Sequence, residues 1–358
     1  MDLATLVQSR PVPGAGLLLT VTARCPLRCA HCSTASTMEG GEPDPGHLLR
    51  FVDSFTVRDR PEVVLMTGGE PLLRPELVTE LARAARRAGS RAAVLSGAFF
   101  ARHDRIPAHI LRAVRAVDHF SVSVDAFHER QVPRADVFRT LRQVLDCGVP
   151  VSIHATGRGP DDPYLADLVA ATRRSFGDEV PMLVNTIRSF GRAAEWLAAT
   201  ATRVDGRRVL PCAMAAWPVV AHDGAILACC NQDAVDRRPV PAHLSLGHIE
   251  SDDWPTVLRR TLASPVLRMI RATGPAYLIA RYGEPTAVHG YCDSCRRLGD
   301  RPEVVDAVQA VASGPVGALL DRQAALMQYK SGPVAFVRRH GCARYADLVA
   351  PAPDDRRT

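Results

Sequence analysis

Near the amino terminus the chain places Cys25, Cys29 and Cys32 within eight residues, in TARCPLRCAHC directly after the apolar stretch GLLLTV. Thiolates are soft ligands that suit zinc and iron–sulfur clusters. Four of them close a tetrahedral zinc site or a four-iron cluster, so three leave one metal position open to another ligand. His31 could complete a zinc site, but as the immediate neighbour of Cys32 it would do so awkwardly. Seven of the ten cysteines fall in two spaced groups, this one and another that begins at Cys212. Such grouping points to metal ligation.

The composition narrows where that chemistry takes place. The first residues, MDLATLVQSRPVPGAG, lack the basic and long apolar segments of a signal peptide. No apolar run approaches the roughly 20 residues that span a bilayer. A cytoplasmic protein without a membrane partner is expected, in a compartment where disulfides are rare. The net charge of +6 is spread along the chain, which argues against a dedicated nucleic-acid partner.

The elements that must position the cysteines follow from the pattern. Strands are expected at 16–21, 62–68, 91–97, 119–124, 150–156 and 180–187, separated by amphipathic helical stretches such as PELVTELARAARRAG and PYLADLVAATRRSFG. Strands alternating with helices imply parallel pairing through crossovers. The fold class is therefore α/β, a partial (β/α)6 TIM-like barrel over residues 1–204. In such sheets ligands sit at the carboxyl ends of the strands, where Cys25, Gly68, Ser123 and Asp125 fall. Beyond residue 205 the run WPVVAHDGAILACCN reads as a hairpin turning at Asp223-Gly224. A small cysteine-rich β-hairpin domain is expected at 205–298, followed by a tail at 299–358 with helices near 302–312 and 315–329 and a polar end.

A second motif, LMTGGEPLLRPE, ends the second strand with Gly68 and Gly69, whose missing β-carbons permit close backbone approach. Glu70 adds a carboxylate and Pro71 stiffens the exit. Together with the three cysteines and the six strand–helix units, this resembles the radical S-adenosylmethionine (radical SAM) superfamily over about residues 16–200. The resemblance implies a [4Fe–4S] cluster on Cys25, Cys29 and Cys32, with S-adenosylmethionine chelating the fourth iron. Gly68, Gly69 and Glu70 would belong to the cofactor site, the glycines receiving the methionine amino group on their carbonyls. The reduced cluster would release a 5′-deoxyadenosyl radical that abstracts a substrate hydrogen, and a reductase or flavodoxin-type donor would supply the electron.

Further residues take roles from the same resemblance. Ser123 and Asp125 are alternate residues, placed to share a strand face and contact the ribose; a turn aspartate is the competing reading for Asp125. His128, Glu129 and Arg130 lie in a loop where substrate contacts are common, or form a solvated helix start. His154 shares a face with Ser152 and Thr156 and either reaches substrate or is a hydrogen-bonded core histidine. Arg158 in the next loop could meet a carboxylate or phosphate. The segment GRAAEW resembles one found in relatives with carboxyl-terminal cluster domains, and places Arg192 near the cofactor.

The spacing Cys212, Gly224, Cys229, followed by Cys292-x2-Cys295, resembles the SPASM/twitch auxiliary domains of that superfamily. It implies one auxiliary [4Fe–4S] cluster on Cys212, Cys229, Cys292 and Cys295, in the shorter twitch form, because no further cysteine run follows. A four-cysteine zinc knuckle is the alternative. Adjacent strand residues face opposite ways, so Cys230 should point away from Cys229, either as a buried structural thiol or as a hydrogen-atom donor to a substrate radical. Cys147 reads as structural, and Cys342 is left open.

The implied enzyme acts on a C–H bond. Its substrate is either a ribosomally made precursor peptide, cross-linked or epimerised with or without a separate leader-binding protein, or a small natural product such as an aminosugar. A chain that begins so shortly before its first strand tilts slightly towards the small molecule or a separate leader binder. A non-catalytic protein stapled by zinc at both groups is the reading from another class.

Overall fold

The computed structural model describes residues 1–198, 205–284 and 290–350. A short helix, α1 (Leu3–Gln8), precedes six strands: β1 (Gly16–Thr22), β2 (Val63–Gly68), β3 (Arg91–Ser96), β4 (His119–Ser123), β5 (Val151–Gly157) and β6 (Met182–Thr186). Each pairs in parallel with the next. The crossovers carry α2 (Pro45–Asp53), α3 (Pro75–Arg87), α4 (Ala108–Ala116), α5 (Arg134–Leu145) and α6 (Pro163–Phe176). This is the expected partial barrel with one difference. Among the described residues, β6 is followed directly by a 3-10 turn at Gly191–Glu195 and not by an α-helix.

Local chemistry explains the elements. In α3, Pro75 sits in the first turn, and Leu77, Val78, Leu81, Ala82 and Ala85 recur on one buried face. Asp44 and Asp162 cap α2 and α6 by accepting the His47 and Tyr164 amides at 2.8 and 3.0 Å. The register sets Ser121 beside Ser152 and Ser123 beside His154. Side chains on that face therefore form a polar lining, while Phe120, Val122 and Ile153 are buried on the other.

The carboxyl-terminal half departs further from the sequence reading. Strands β7 (Val219–Val220), β8 (Ala225–Leu227) and β9 (Ser245–His248) do not form a separate sheet. They extend the first one in the order β6-β5-β4-β3-β2-β1-β7-β8-β9, with β7 parallel to β1. One hydrophobic core holds Leu19 and Val94 of the barrel together with Ile226, Trp254 and Val304. The hairpin turn is also longer than expected. Ala221 donates to Ala225 at 2.8 Å around His222-Asp223-Gly224, and Gly224 supplies the positive φ of 90° that such a loop needs.

Helices α7 (Gln232–Asp236), α8 (Trp254–Ala263), α9 (Pro265–Ala272), α10 (Pro275–Tyr282), α11 (Tyr291–Leu298), α12 (Pro302–Ala312), α13 (Pro315–Lys330) and α14 (Gly332–His340) complete the chain. The two expected tail helices correspond to α12 and α13. Beyond α14, the buried Cys342 donates its amide to Val184 at 2.8 Å, so the tail covers the outer edge of β6. The boundary expected at residue 204 falls at residues 199–204, and the polar end from residue 351 likewise lies outside the described residues. No single helix among the described residues is long and apolar enough to cross a membrane.

Candidate functional site

The loop after β1 carries Cys25, Cys29 and Cys32 and is gripped from two sides. On one side, Gly69 donates to Thr22 at 2.7 Å and Glu70 to Arg24 at 2.8 Å. A β-carbon on Gly68 would lie 2.3 Å from the Thr22 carbonyl oxygen, and one on Gly69 would lie 2.2 Å from that of Arg24. These glycines therefore exist first for contact between β2 and the cysteine loop. On the other side, a β-carbon on Gly191 would lie 2.4 Å from the Cys32 carbonyl. Arg192 donates its amide to Cys32 at 3.0 Å and its guanidinium to the carbonyls of Cys29 and Ser36 at 2.9 and 2.8 Å. Trp196 donates to Ala30 at 2.8 Å. Arg192 thus meets the loop's backbone.

Burial pushes the Cys25 thiol up to about 12, and the nearby Glu70, Cys32 and Cys29 push the same way. Thiols packed this closely ionise together only when a cation joins them, so the donor set suits a metal centre. Glu70 itself is fully buried. It accepts from the Leu72 and Gly97 amides at 3.0 and 2.8 Å and from the Ser96 hydroxyl at 2.9 Å. Burial pushes it up to about 7 against those lowering bonds. With both oxygens engaged, its carboxylate braces the ends of β2 and β3 and does not face a ligand.

Asp125 corrects a second expectation. It lies beyond the end of β4, and Oδ1 accepts the Phe127 and His128 amides at 2.9 and 3.1 Å. Oδ2 receives His128 Nδ1 at 2.8 Å and His31 Nε2 at 3.1 Å. Burial opposes its ionisation, but the histidine bonds outweigh that and hold the carboxyl below the usual range. All its acceptor positions are used, so Asp125 is a turn residue and a histidine clamp, with nothing left for a ribose. His31 is thereby turned towards Asp125 and stacks on Phe127 at 4.7 Å.

Burial opposes a charge on His128, yet its bond to Asp125 and its contact with Cys29 carry it up to about 10. Gln131 also reaches the Cys29 sulfur, at 3.5 Å. Gln131 was not legible as a site residue, because no spacing rule links it to the cysteines, and His31 was weighed only as a zinc ligand. Glu129 pairs with Arg134. On the polar lining, burial pushes His154 down to about 4, and its Nε2 meets Asn185 at 2.8 Å. The Ser123 hydroxyl beside it makes no hydrogen bond among the described residues. Arg158 lies over the Trp196 ring at 5.6 Å.

The second cysteine group also converges. Cys212 opens a 3-10 turn, and Cys292 and Cys295 share one face of the first turns of α11. Burial raises the Cys212 thiol to about 11, with neighbouring Cys292 and Cys230 adding to it. Burial likewise raises Cys229, helped by Cys230, Cys295 and Cys212. Strand β8 ends at Leu227, so the alternation expected to turn Cys230 away does not apply. Five thiols gather here. Asn231 donates its amide to Cys229 at 3.4 Å and its side chain to Cys292 at 3.5 Å, while His243 lies 3.8 Å from Cys295. Arg10, some two hundred residues away in sequence, reaches Cys230 at 3.4 Å.

Comparison with known proteins agrees with this layout. Residues 19–171 match the family described as the Radical SAM superfamily. The PqqA peptide cyclase of Streptomyces rochei is 36% identical over 149 residues, 39% of this chain and 40% of that protein. The GTP 3',8-cyclase of Geobacter sulfurreducens is 33% identical over 133 residues, 36% of this chain and 37% of that protein. These matches span well under half the length of the curated relatives. The crystal structure of Streptococcus suis SuiB bound to S-adenosylmethionine superposes with a TM-score of 0.51 at 11% identity, covering 78% of this chain and 77% of that one, a likeness of fold.

Proposed function

We propose that this chain, an enzyme that belongs to the radical SAM superfamily through residues 19–171, abstracts hydrogen from a C–H bond of a peptide substrate. The observation that carries the reading is the double grip on the cysteine loop: Gly68 and Gly69 on one side, Gly191 and Arg192 on the other. The family implies S-adenosylmethionine and a [4Fe–4S] cluster, which Cys25, Cys29 and Cys32 would hold with one iron left open. When bound, these groups supply one-electron cleavage of the sulfonium and hence hydrogen-atom abstraction.

The chain's own residues do the rest. Gly68 and Gly69 would receive the cofactor's methionine end, and the unbonded Ser123 hydroxyl would be available to a ribose. Glu70, Asp125 and Arg192 act as positioning residues that fix the loop and its neighbours. The second group, Cys212, Cys229, Cys292 and Cys295, would hold one auxiliary [4Fe–4S] cluster, with Cys230 beside it. The chemistry of the set supports this: buried thiols that raise one another, with amide donors on two sulfurs.

A peptide substrate is supported by the likeness to proteins named peptide cyclases. A cytoplasmic setting, a reductase or flavodoxin-type electron donor and a separate leader-binding protein complete the proposal. Anaerobically reconstituted protein, incubated with S-adenosylmethionine and reductant, is tested against peptides encoded beside its gene and against aminosugars. Loss of a hydrogen pair, or inversion at one α-carbon, in a peptide supports the reading. Turnover of the aminosugar alone overturns it.

A further inference from the structure

Arg10 follows α1 and is buried, with 8% of its surface exposed. Its guanidinium lies over the Trp217 ring at 4.5 Å. Nη2 donates to the Cys230 sulfur at 3.4 Å and the Met214 sulfur at 3.5 Å, while Nη1 is buried without a partner. No carboxylate pairs with it among the described residues. An isolated buried charge is costly, and neutral sulfur is a weak acceptor that cannot offset it.

The surroundings add positive charge. Arg188 reaches the His340 carbonyl at 3.5 Å, and Arg339 donates to that of Pro211, next to Cys212, at 3.2 Å. Neither pairs with a carboxylate among the described residues. Burial first, and then Arg339, Arg188 and Arg10, push His340 down to about 4, and its Nε2 is buried without a partner. Three guanidiniums without carboxylate partners therefore lie beside the thiol group: Arg10 on Cys230, Arg188 near Cys292 and Arg339 on the residue before Cys212, while the nearby acidic Asp233 is already paired with Arg296. Such a wall is complementary to an anion, and a cluster held by thiolates is one.

We propose that Arg10, backed by Arg188 and Arg339, is the counter-charge of the auxiliary iron–sulfur cluster and holds its reduction potential up. The inference rests on the auxiliary-cluster reading above and deepens it. Net charge and hydrogen bonds to sulfur set the potentials of such clusters, and a nearby guanidinium favours the form carrying one more electron. Arg10 acts here as a positioning residue, through charge and a sulfur contact. A cluster held in this way is suited to accept an electron, which favours net oxidation of the substrate over redox-neutral epimerisation.

The test uses the full chain with Cys25→Ala, Cys29→Ala and Cys32→Ala, so that only the second site can hold a cluster. Anaerobic reconstitution is followed by iron and sulfide analysis and by a dithionite titration monitored by electron paramagnetic resonance. Adding Arg10→Gln should lower the one-electron reduction constant about tenfold, equivalent to about 59 mV, and Arg10→Lys should restore most of it. An unchanged midpoint at full iron content overturns the inference and leaves the auxiliary cluster standing. Absence of any iron–sulfur cluster in the parent overturns both. If Arg10→Gln alone loses its cluster, Arg188→Gln and Arg339→Gln decide: a lowered constant in each supports the inference, and no change in either overturns it.

Discussion

The Arg192 guanidinium donates to the Cys29 carbonyl at 2.9 Å, so a residue beyond the sixth strand fixes the loop that follows the first. A second bond to the Ser36 carbonyl makes the contact two-pronged. Charged hydrogen bonds of this kind contribute about 2 kcal/mol each. Arg192→Ala should therefore leave the fold intact but loosen the loop. Iron should be lost several times faster on exposure to a chelator, as followed by the charge-transfer absorbance. Arg192→Lys should recover little, because an ammonium lacks the fork that spans two carbonyls.

Gly69→Ala should abolish activity, because its new methyl would lie 2.2 Å from the Arg24 carbonyl and push the cysteine loop aside. The comparison is Gly148→Ala. Its φ of 75° disfavours a side chain by about 1 kcal/mol, yet nothing lies within 4 Å of the added carbon. The first variant should lose iron and cofactor cleavage, and the second should lose only a little thermal stability. Equal behaviour would show that the glycine contact does not matter.

Arg271 and Asp321 form a bidentate pair at 2.8 and 2.7 Å, with 2% and 4% of their surfaces exposed, joining α9 to α13. Breaking it leaves a buried charge, so Asp321→Ala should cost about 3 to 5 kcal/mol in chemical denaturation. Replacing both partners by apolar residues of similar size should cost much less. If the double replacement is as damaging as the single one, the penalty lies elsewhere than in the unpaired charge.

His119 is buried between the Met1 carbonyl and the Ser152 hydroxyl, and burial pushes it from 6.5 down to about 4. The unfolded chain therefore takes up the proton first as pH falls. The stability contributed by the neutral ring is complete above pH 6.5 and is lost as pH drops through the window towards 4, by at most about 3 kcal/mol. Denaturation across that window should show a shallower pH slope for His119→Asn than for the parent. Parallel slopes would mean that other groups carry the acid sensitivity.

The barrel was legible because each of its strands is a short apolar run bounded by turn residues, and each helix of α3, α5 and α6 starts at or beside a proline. The hairpin's junction with β1 was not. It depends on Trp217 packing against Gly16, whose added β-carbon would lie 2.1 Å from that ring, and no local pattern reports a contact two hundred residues apart. Motif spacing found the seven cysteines of the two groups and the two glycines. It could not find Arg10, Gln131 or Asn231, which reach sulfur only through tertiary packing. Of the two readings of Asp125, the ribose contact rested on strand alternation extended past the point where β4 stops, and Cys230 was turned away on the same rule although β8 stops at Leu227.

On the function proposed above, Cys25, Cys29 and Cys32 would hold a cluster with one open iron. The direct measurement is electron paramagnetic resonance of the reduced, anaerobically reconstituted chain carrying Cys212→Ala, Cys229→Ala, Cys292→Ala and Cys295→Ala, with and without S-adenosylmethionine. The expected result is a cluster signal that changes on adding the cofactor, together with reductant-dependent 5′-deoxyadenosine, with both lost in Cys29→Ala. A metal with a full set of protein ligands, whose spectrum is the same with and without the cofactor, would contradict it.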